Sequence, residues 1–241
     1  KPLCHDVSEC RAVAAEAQRA GVVTQMGTQH ASSTADRTAE AVIHAGAIGK
    51  AIAVYAWSNK NASNYRPTGP RAAGADDIPA HVDWDKWLGT APQRPYKHGV
   101  YHPTWWRGWQ DFGVGWLGDM GCHIMDMPYR SLGLTAPTSI QAEVEPAWRD
   151  AADRFAETWP TRQVLSYTFP GNERPAEDTL PYTWSDGNQY PDPALREHIG
   201  GVDWPTEGAL VIGTTGTLLL QHGAGQCRLF IDGEEQPIDD Y

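Results

Sequence analysis

Apolar and polar positions alternate along this chain in two regimes, helix-spaced over the first fifty residues and strand-like after residue 138. Helix formers run to Ala20 behind Asp6-Val7-Ser8-Glu9, which has the spacing of a capping box, and Gly21 stands where a C-terminal cap belongs. The pattern predicts a helix over 6–20. Val22 to Met26 is a short apolar run ending at Gly27, and it reads as a buried strand; a helix feeding directly into such a strand is a piece of parallel sheet. Ser32-Ser33 offers a cap to a second helix with Ala39, Val42 and Ile43 on its apolar side and Gly46 at its end, and Ala51 to Trp57 is the next strand.

From Asn59 to Tyr101 Pro, Gly, Asn, Asp and Trp follow one another without a period, which predicts an ordered aromatic excursion. Gly118 to Leu132 reads as a helix with Pro128 as a kink or early stop and Gly133 beyond it. Strands follow: Ile140, Ala142 and Val144 alternate, Val164 to Phe169 is rich in β-formers, and Leu180 to Trp184 leads into the turn text Ser185-Asp186-Gly187-Asn188. A Pro, Asp and Gly linker spans Tyr190 to Glu207. Ala209–Ile212 and Thr217–Leu220 then flank Gly213-Thr214-Thr215-Gly216 as a hairpin, with Cys227 to Ile231 as a further strand.

Composition narrows the partners. The 241 residues carry 30 carboxylates against 19 Lys and Arg, a net charge of -11, so phosphate backbones are repelled and nucleic acid is not an expected partner. Every apolar run falls far short of the roughly 18 residues of a membrane span, which removes the bilayer as well. The four cysteines are scattered without a CxxC pair, and reduced thiols are the simplest reading. Eleven tryptophans, six of them between Trp84 and Trp116, exceed ordinary core duty: they form either a Trp-rich subdomain interface or a wall on which a sugar ring stacks. Lys1-Pro2-Leu3 enters the helix pattern with no charged-then-apolar leader, as expected of a chain that has lost its beginning.

The sharpest chemistry lies in Gly118-Asp119-Met120-Gly121-Cys122-His123-Ile124-Met125-Asp126. On a helix Asp119, His123 and Asp126 project from one face, presenting carboxylate, imidazole and carboxylate. An imidazole takes or gives a proton near neutral pH, and an adjacent acid fixes its tautomer; the competing reading is a core histidine behind a helix cap. The spacing of Asp119 and His123, and of His98 and His102, also admits metal ligation. Pro103 disfavours a helix at the latter pair, and without HExxH or a cysteine cluster no metal is expected. Gly113-Val114-Gly115-Trp116-Leu117-Gly118 matches GxGxxG as a string only, because no apolar strand precedes it and a Trp occupies the turn.

Together with Lys1-Pro2-Leu3, Val22-Val23-Thr24-Gln25-Met26-Gly27, Asp83-Trp84-Asp85-Lys86-Trp87-Leu88-Gly89 and Trp106-Arg107-Gly108-Trp109, the segment Gly118 to His123 resembles the Gfo/Idh/MocA oxidoreductases. The wording is closest to their Trp-rich bacterial branch, similar to glucose-fructose oxidoreductases and inositol dehydrogenases. The resemblance runs from Lys1 to about Gly216. It implies an α/β remnant of a Rossmann domain over 1–30, followed over 31–241 by an α+β domain with a large, mostly antiparallel open sheet, cut short at its C-terminal end.

The same resemblance implies NAD or NADP as cofactor, with its binding fingerprint outside this chain, and a sugar or polyol as substrate. Lys1, Asp119 and His123 would be catalytic: His123 accepts the hydroxyl proton, Asp119 holds the hydroxyl and orients the imidazole, and Lys1 polarises the developing oxyanion. Tyr101, His102, Trp106 and Arg107 would form the substrate wall, and Lys1, Pro2 and Gln29 would face the cofactor, with His30 beside Gln29 at the cleft. A homo-oligomer joined through the open sheet is expected, as is a cytoplasmic location ahead of a periplasmic one. The chain alone is expected to be inactive. Two alternatives stay open: NAD-dependent glycoside hydrolysis on the same site, and a non-catalytic carbohydrate-binding or assembly module.

Overall fold

The structure, a computed structural model, describes residues 1–59, 67–223 and 225–241; part of the aromatic excursion expected after Asn59 therefore lies outside the described residues. The chain divides into two compact units. The first comprises Lys1–Gly27, Asn61–Asp119 and Glu145–Thr161, and the second Thr28–Lys60, Met120–Val144 and Arg162–Tyr241.

In the first unit, helix α1 spans Val7–Ala20. Asp6 caps it by accepting the Glu9 backbone N–H, and Gly21 closes it at φ +63°, where the absence of a Cβ removes the left-handed penalty. The expected strand after it does not form. Val22–Met26 has no strand pairing, and Val23 is 99% exposed, because an apolar run becomes a strand only where a neighbour supplies ladder hydrogen bonds. The core of this unit is aromatic instead. Trp84, Leu88, Tyr96, Tyr101 and Trp109 are buried together, with Trp87 and Phe112 against them, and each buried indole finds a carbonyl: Trp84 Nε1 donates to Arg94 (2.7 Å) and Trp109 Nε1 to Val100 (2.9 Å). The aperiodic stretch thus holds a short helix, Trp84–Leu88, which Asp83 caps through the Lys86 N–H.

The second unit carries an eight-stranded sheet: β1 Ala51–Ser58, β2 Ser139–Val144, β3 Gln163–Pro170, β4 Thr179–Asp186, β5 Glu207–Gly213, β6 Thr217–Gln221, β7 Gln226–Ile231 and β8 Glu234–Gln236. Their order is β2-β3-β4-β1-β5-β6-β7-β8, and every neighbouring pair is antiparallel except β1 with β4. This is the large, mostly antiparallel open sheet expected.

Alternation along β5 to β7 sends two sets of side chains to opposite faces. Trp57, Leu210, Ile212, Leu219 and Phe230 pack with Ile199 of the 3-10 turn Pro193–Ile199. Helix α2, Thr34–His44, packs against β6 and β7 and buries Ala39, Val42 and Ile43; Ser33 caps it by accepting the Asp36 N–H. β2 differs from its alternating text: it is an edge strand with Ile140 exposed. The helix expected over 118–132 is present in pieces, a π-helical turn at Leu117–Gly121 followed by α-helical Cys122–Ile124 and Asp126–Ser131, with Pro128 inside the last.

Candidate active site

The division between the units falls between Asp119 and Met120, so the carboxylate and the imidazole singled out in the sequence belong to different units.

In the first unit Asp119, 8% exposed, is held at both oxygens. Lys1 Nζ lies 3.0 Å from Oδ1 and Arg107 Nε lies 3.0 Å from Oδ2. The Arg107 guanidinium also lies 4.8 Å from the centre of the Trp106 ring and donates to the Thr104 carbonyl at 2.9 Å. Two cations on one buried acid fix its direction, and the pairing gains force from its low-dielectric surroundings. The π-helical turn places Asp119 here, and wide turns of this kind gather at functional sites. Gly118 permits the approach: a Cβ at this position would stand 1.9 Å from Val114 Cγ2, with Pro2 Cδ at 3.7 Å.

The remaining first-unit candidates separate by burial. Tyr101 is part of the aromatic core. His102 is partly exposed, its ring edge-on to Trp87 at 6.1 Å and its bond to Pro103 cis. Trp106 lines a cavity of about 560 Å³ with His5, Glu9, Trp87, Asp111 and Phe112. Burial pushes the Asp111 carboxyl up, but Arg94 and Arg71 outweigh it and hold the acid below its ordinary value.

The glycines of the string 113–118 serve packing. Trp159 donates from Nε1 to the Gly113 carbonyl at 2.7 Å, and Gly115 sits at φ +72° with that indole's Cβ 3.0 Å from where its own would be. The string forms no phosphate-binding turn.

In the second unit His123 is 4% exposed and stands among imidazoles. Its ring centre is 5.6 Å from His30 and 5.6 Å from His222, and those two are 4.1 Å apart. Gln29 and His30 belong to the 3-10 turn Gln29–Ser32. His222 was invisible to sequence reasoning: it follows β6, nearly a hundred residues from His123, with no motif around it. Among the described residues no group of three His, Cys, Asp or Glu is arranged to hold a metal ion, and no helix is long and apolar enough to cross a membrane.

Known proteins now place the fold. Residues 33–167, more than half of the chain, match the oxidoreductase family's C-terminal alpha/beta domain, and the chain belongs to the Gfo/Idh/MocA oxidoreductases. Among solved structures it is similar to an inositol dehydrogenase homolog from Azotobacter vinelandii complexed with NADH and myo-inositol, with 16% identity, TM-score 0.58, and 98% of this chain against 47% of that one. An NAD binding oxidoreductase from Klebsiella pneumoniae gives 17% identity, TM-score 0.55, and coverage of 98% and 50%. A super-repressor mutant of Gal80p from Saccharomyces cerevisiae gives 15% identity, TM-score 0.57, and coverage of 98% and 50%. The chain spans about half the length of these structures. No curated protein matches it.

Proposed function

We propose that this chain supplies the substrate-facing part of an NAD(P)-dependent oxidoreductase acting on a hydroxyl-bearing carbon of a sugar or polyol. The observation that carries the reading is the buried Asp119 carboxylate gripped by Lys1 and Arg107. Such a triad anchors a substrate hydroxyl on the acid while the part-exposed ammonium stands ready for the oxygen as it gains negative charge. The family membership and the fold shared with an inositol dehydrogenase homolog bound to NADH and myo-inositol support the same class.

A bound nicotinamide supplies the hydride acceptor. Toward the nicotinamide this chain would offer Lys1 as a cation with Pro2 beside it, whereas the glycines at 113–118 are occupied by Trp159, Val114 and the Arg107 backbone. In the oxidative direction the substrate C–H bond breaks and its electron pair leaves as hydride, the O–H proton passes to His123, and a carbonyl forms. Asp119 holds the hydroxyl, Lys1 lowers the cost of the alkoxide-like oxygen, and Trp106 and Arg107 belong to the substrate wall. The active assembly is read as a homo-oligomer joined through the sheet.

The test uses the full-length protein with sugars, polyols and glycosides, following NAD(P)H absorbance and sugar release together. Turnover with NAD(P)H accumulation is expected, and His123→Ala should lower it by about 10²- to 10⁴-fold. Sugar release without NAD(P)H would replace the dehydrogenase reading with redox-assisted hydrolysis. Unchanged activity in His123→Ala would remove the proton-acceptor role altogether. A non-catalytic binding module is the second reading, favoured by the fold shared with Gal80p; it predicts sugar binding without any turnover.

A further inference from the structure

Three imidazoles packed ring against ring, His123 buried and His30 and His222 half-buried, are hard to reconcile with a packing role alone, because each carries polar nitrogens that cost energy when withdrawn from water. His30, His123 and His222 form such a set, with ring centres 4.1 to 5.6 Å apart. At these separations like charges repel strongly, so protonating one ring suppresses protonation of the other two, and the protons leave in steps that belong to the set.

The second observation is Asp36, in the first turn of α2 and 3% exposed. Its Oδ2 accepts the Ser33 hydroxyl at 2.6 Å, while Oδ1 is buried without a hydrogen-bond partner. Burial pushes the Asp36 carboxyl up; the Ser33 hydroxyl and then charge on His30 draw it back down.

Resting on the function proposed above, we infer that His30 and His222 are positioning residues for His123: their rings pack against it, and like-charge repulsion across the set disfavours a charge on His123, leaving its imidazole able to accept a proton. Other charged groups lie near the set. Asp126 and Arg130 act on Asp36 from Asp126–Ser131, and Arg130 is itself paired with Glu40 and Asp126. From β5 the Glu207 carbonyl accepts the His222 backbone N–H at 3.1 Å, and its carboxylate accepts the Ser58 hydroxyl at 2.6 Å. Cys227 on β7 is pushed up to about 12 by burial and by Asp36, so it stays a neutral thiol.

The inference is tested by following imidazole NMR signals against pH in the full-length protein, in His30→Gln, His222→Gln and Asp36→Asn, with near-UV circular dichroism to check the fold. In either histidine variant the His123 midpoint should rise by about one pH unit, a tenfold gain in proton affinity. Asp36→Asn should lower the first protonation of the set. The acid limb of kcat/KM should move with the His123 midpoint, a shift that a merely structural defect does not produce. A His123 midpoint unmoved in whichever histidine variant folds would overturn the inference, as would three independent titrations in the parent protein. If the parent shows no NAD(P)-linked turnover, the functional reading fails while the titrations still decide the electrostatic one.

Discussion

The acids of this protein part company according to what surrounds them. Glu145 resembles Asp111: burial pushes it up, but hydrogen bonds from Thr161 and the pairing with Arg154 at 2.8 Å outweigh burial and leave it below its ordinary value. A depressed folded value contributes stability above the unfolded pKa of about 4.3, lost as pH falls through the folded value. Asp36 has the opposite sign, since its raised value favours the fold more as pH drops. Glu145→Gln should therefore cost about 1–3 kcal/mol at neutral pH and flatten the acid side of the stability curve. Denaturant titrations between pH 2 and 7 check this, and parallel curves for parent and variant would contradict it. At the candidate site, Arg107→Lys keeps the charge but loses the planar face over Trp106 and the guanidinium's hydrogen bond to the Thr104 carbonyl. A fall in kcat/KM of about tenfold, roughly 1.4 kcal/mol, is expected in the full-length enzyme, and undiminished kcat/KM would count against Arg107.

Elements were legible wherever their cause is local. Asp6, Ser33 and Gly21 act within one turn, so α1 and α2 could be read to their caps, and the strands of the sheet from β1 to β7 announced themselves by alternation or β-rich runs. Val22–Met26 could not be read correctly, because strand pairing depends on a neighbour and not on the run itself. The Lys1–Asp119 ion pair and the His222 position were not written in any local pattern for the same reason: they join residues more than ninety positions apart. The π-helical turn was hidden too, since Gly118 signals close approach without saying to what. Gly118→Ala should destabilise the protein by about 1–3 kcal/mol through overlap with Val114. Adding Val114→Ala should recover part of the loss, and strictly additive effects in thermal melting would refute that overlap.

On the scale of the whole chain, protection should follow the sheet. β1 lies between β4 and β5, Trp57 and Tyr182 are fully buried, and α1 buries no residue. Hydrogen exchange is expected to be slowest in β1, β4 and β5 and fastest in α1 and edge strand β2; rapid exchange in β1 would contradict the arrangement. The parallel pairing of β1 with β4 reaches further. β1 ends at Ser58 and β4 begins at Thr179, and two of the three segments of the first unit, Asn61–Asp119 and Glu145–Thr161, are threaded between them. The sheet can close there only after a long stretch of backbone has been looped out, an ordering cost that depends on how compact the looped stretch already is. No single scission of the polypeptide frees either unit intact, so splitting this molecule would require splicing distant strand ends together.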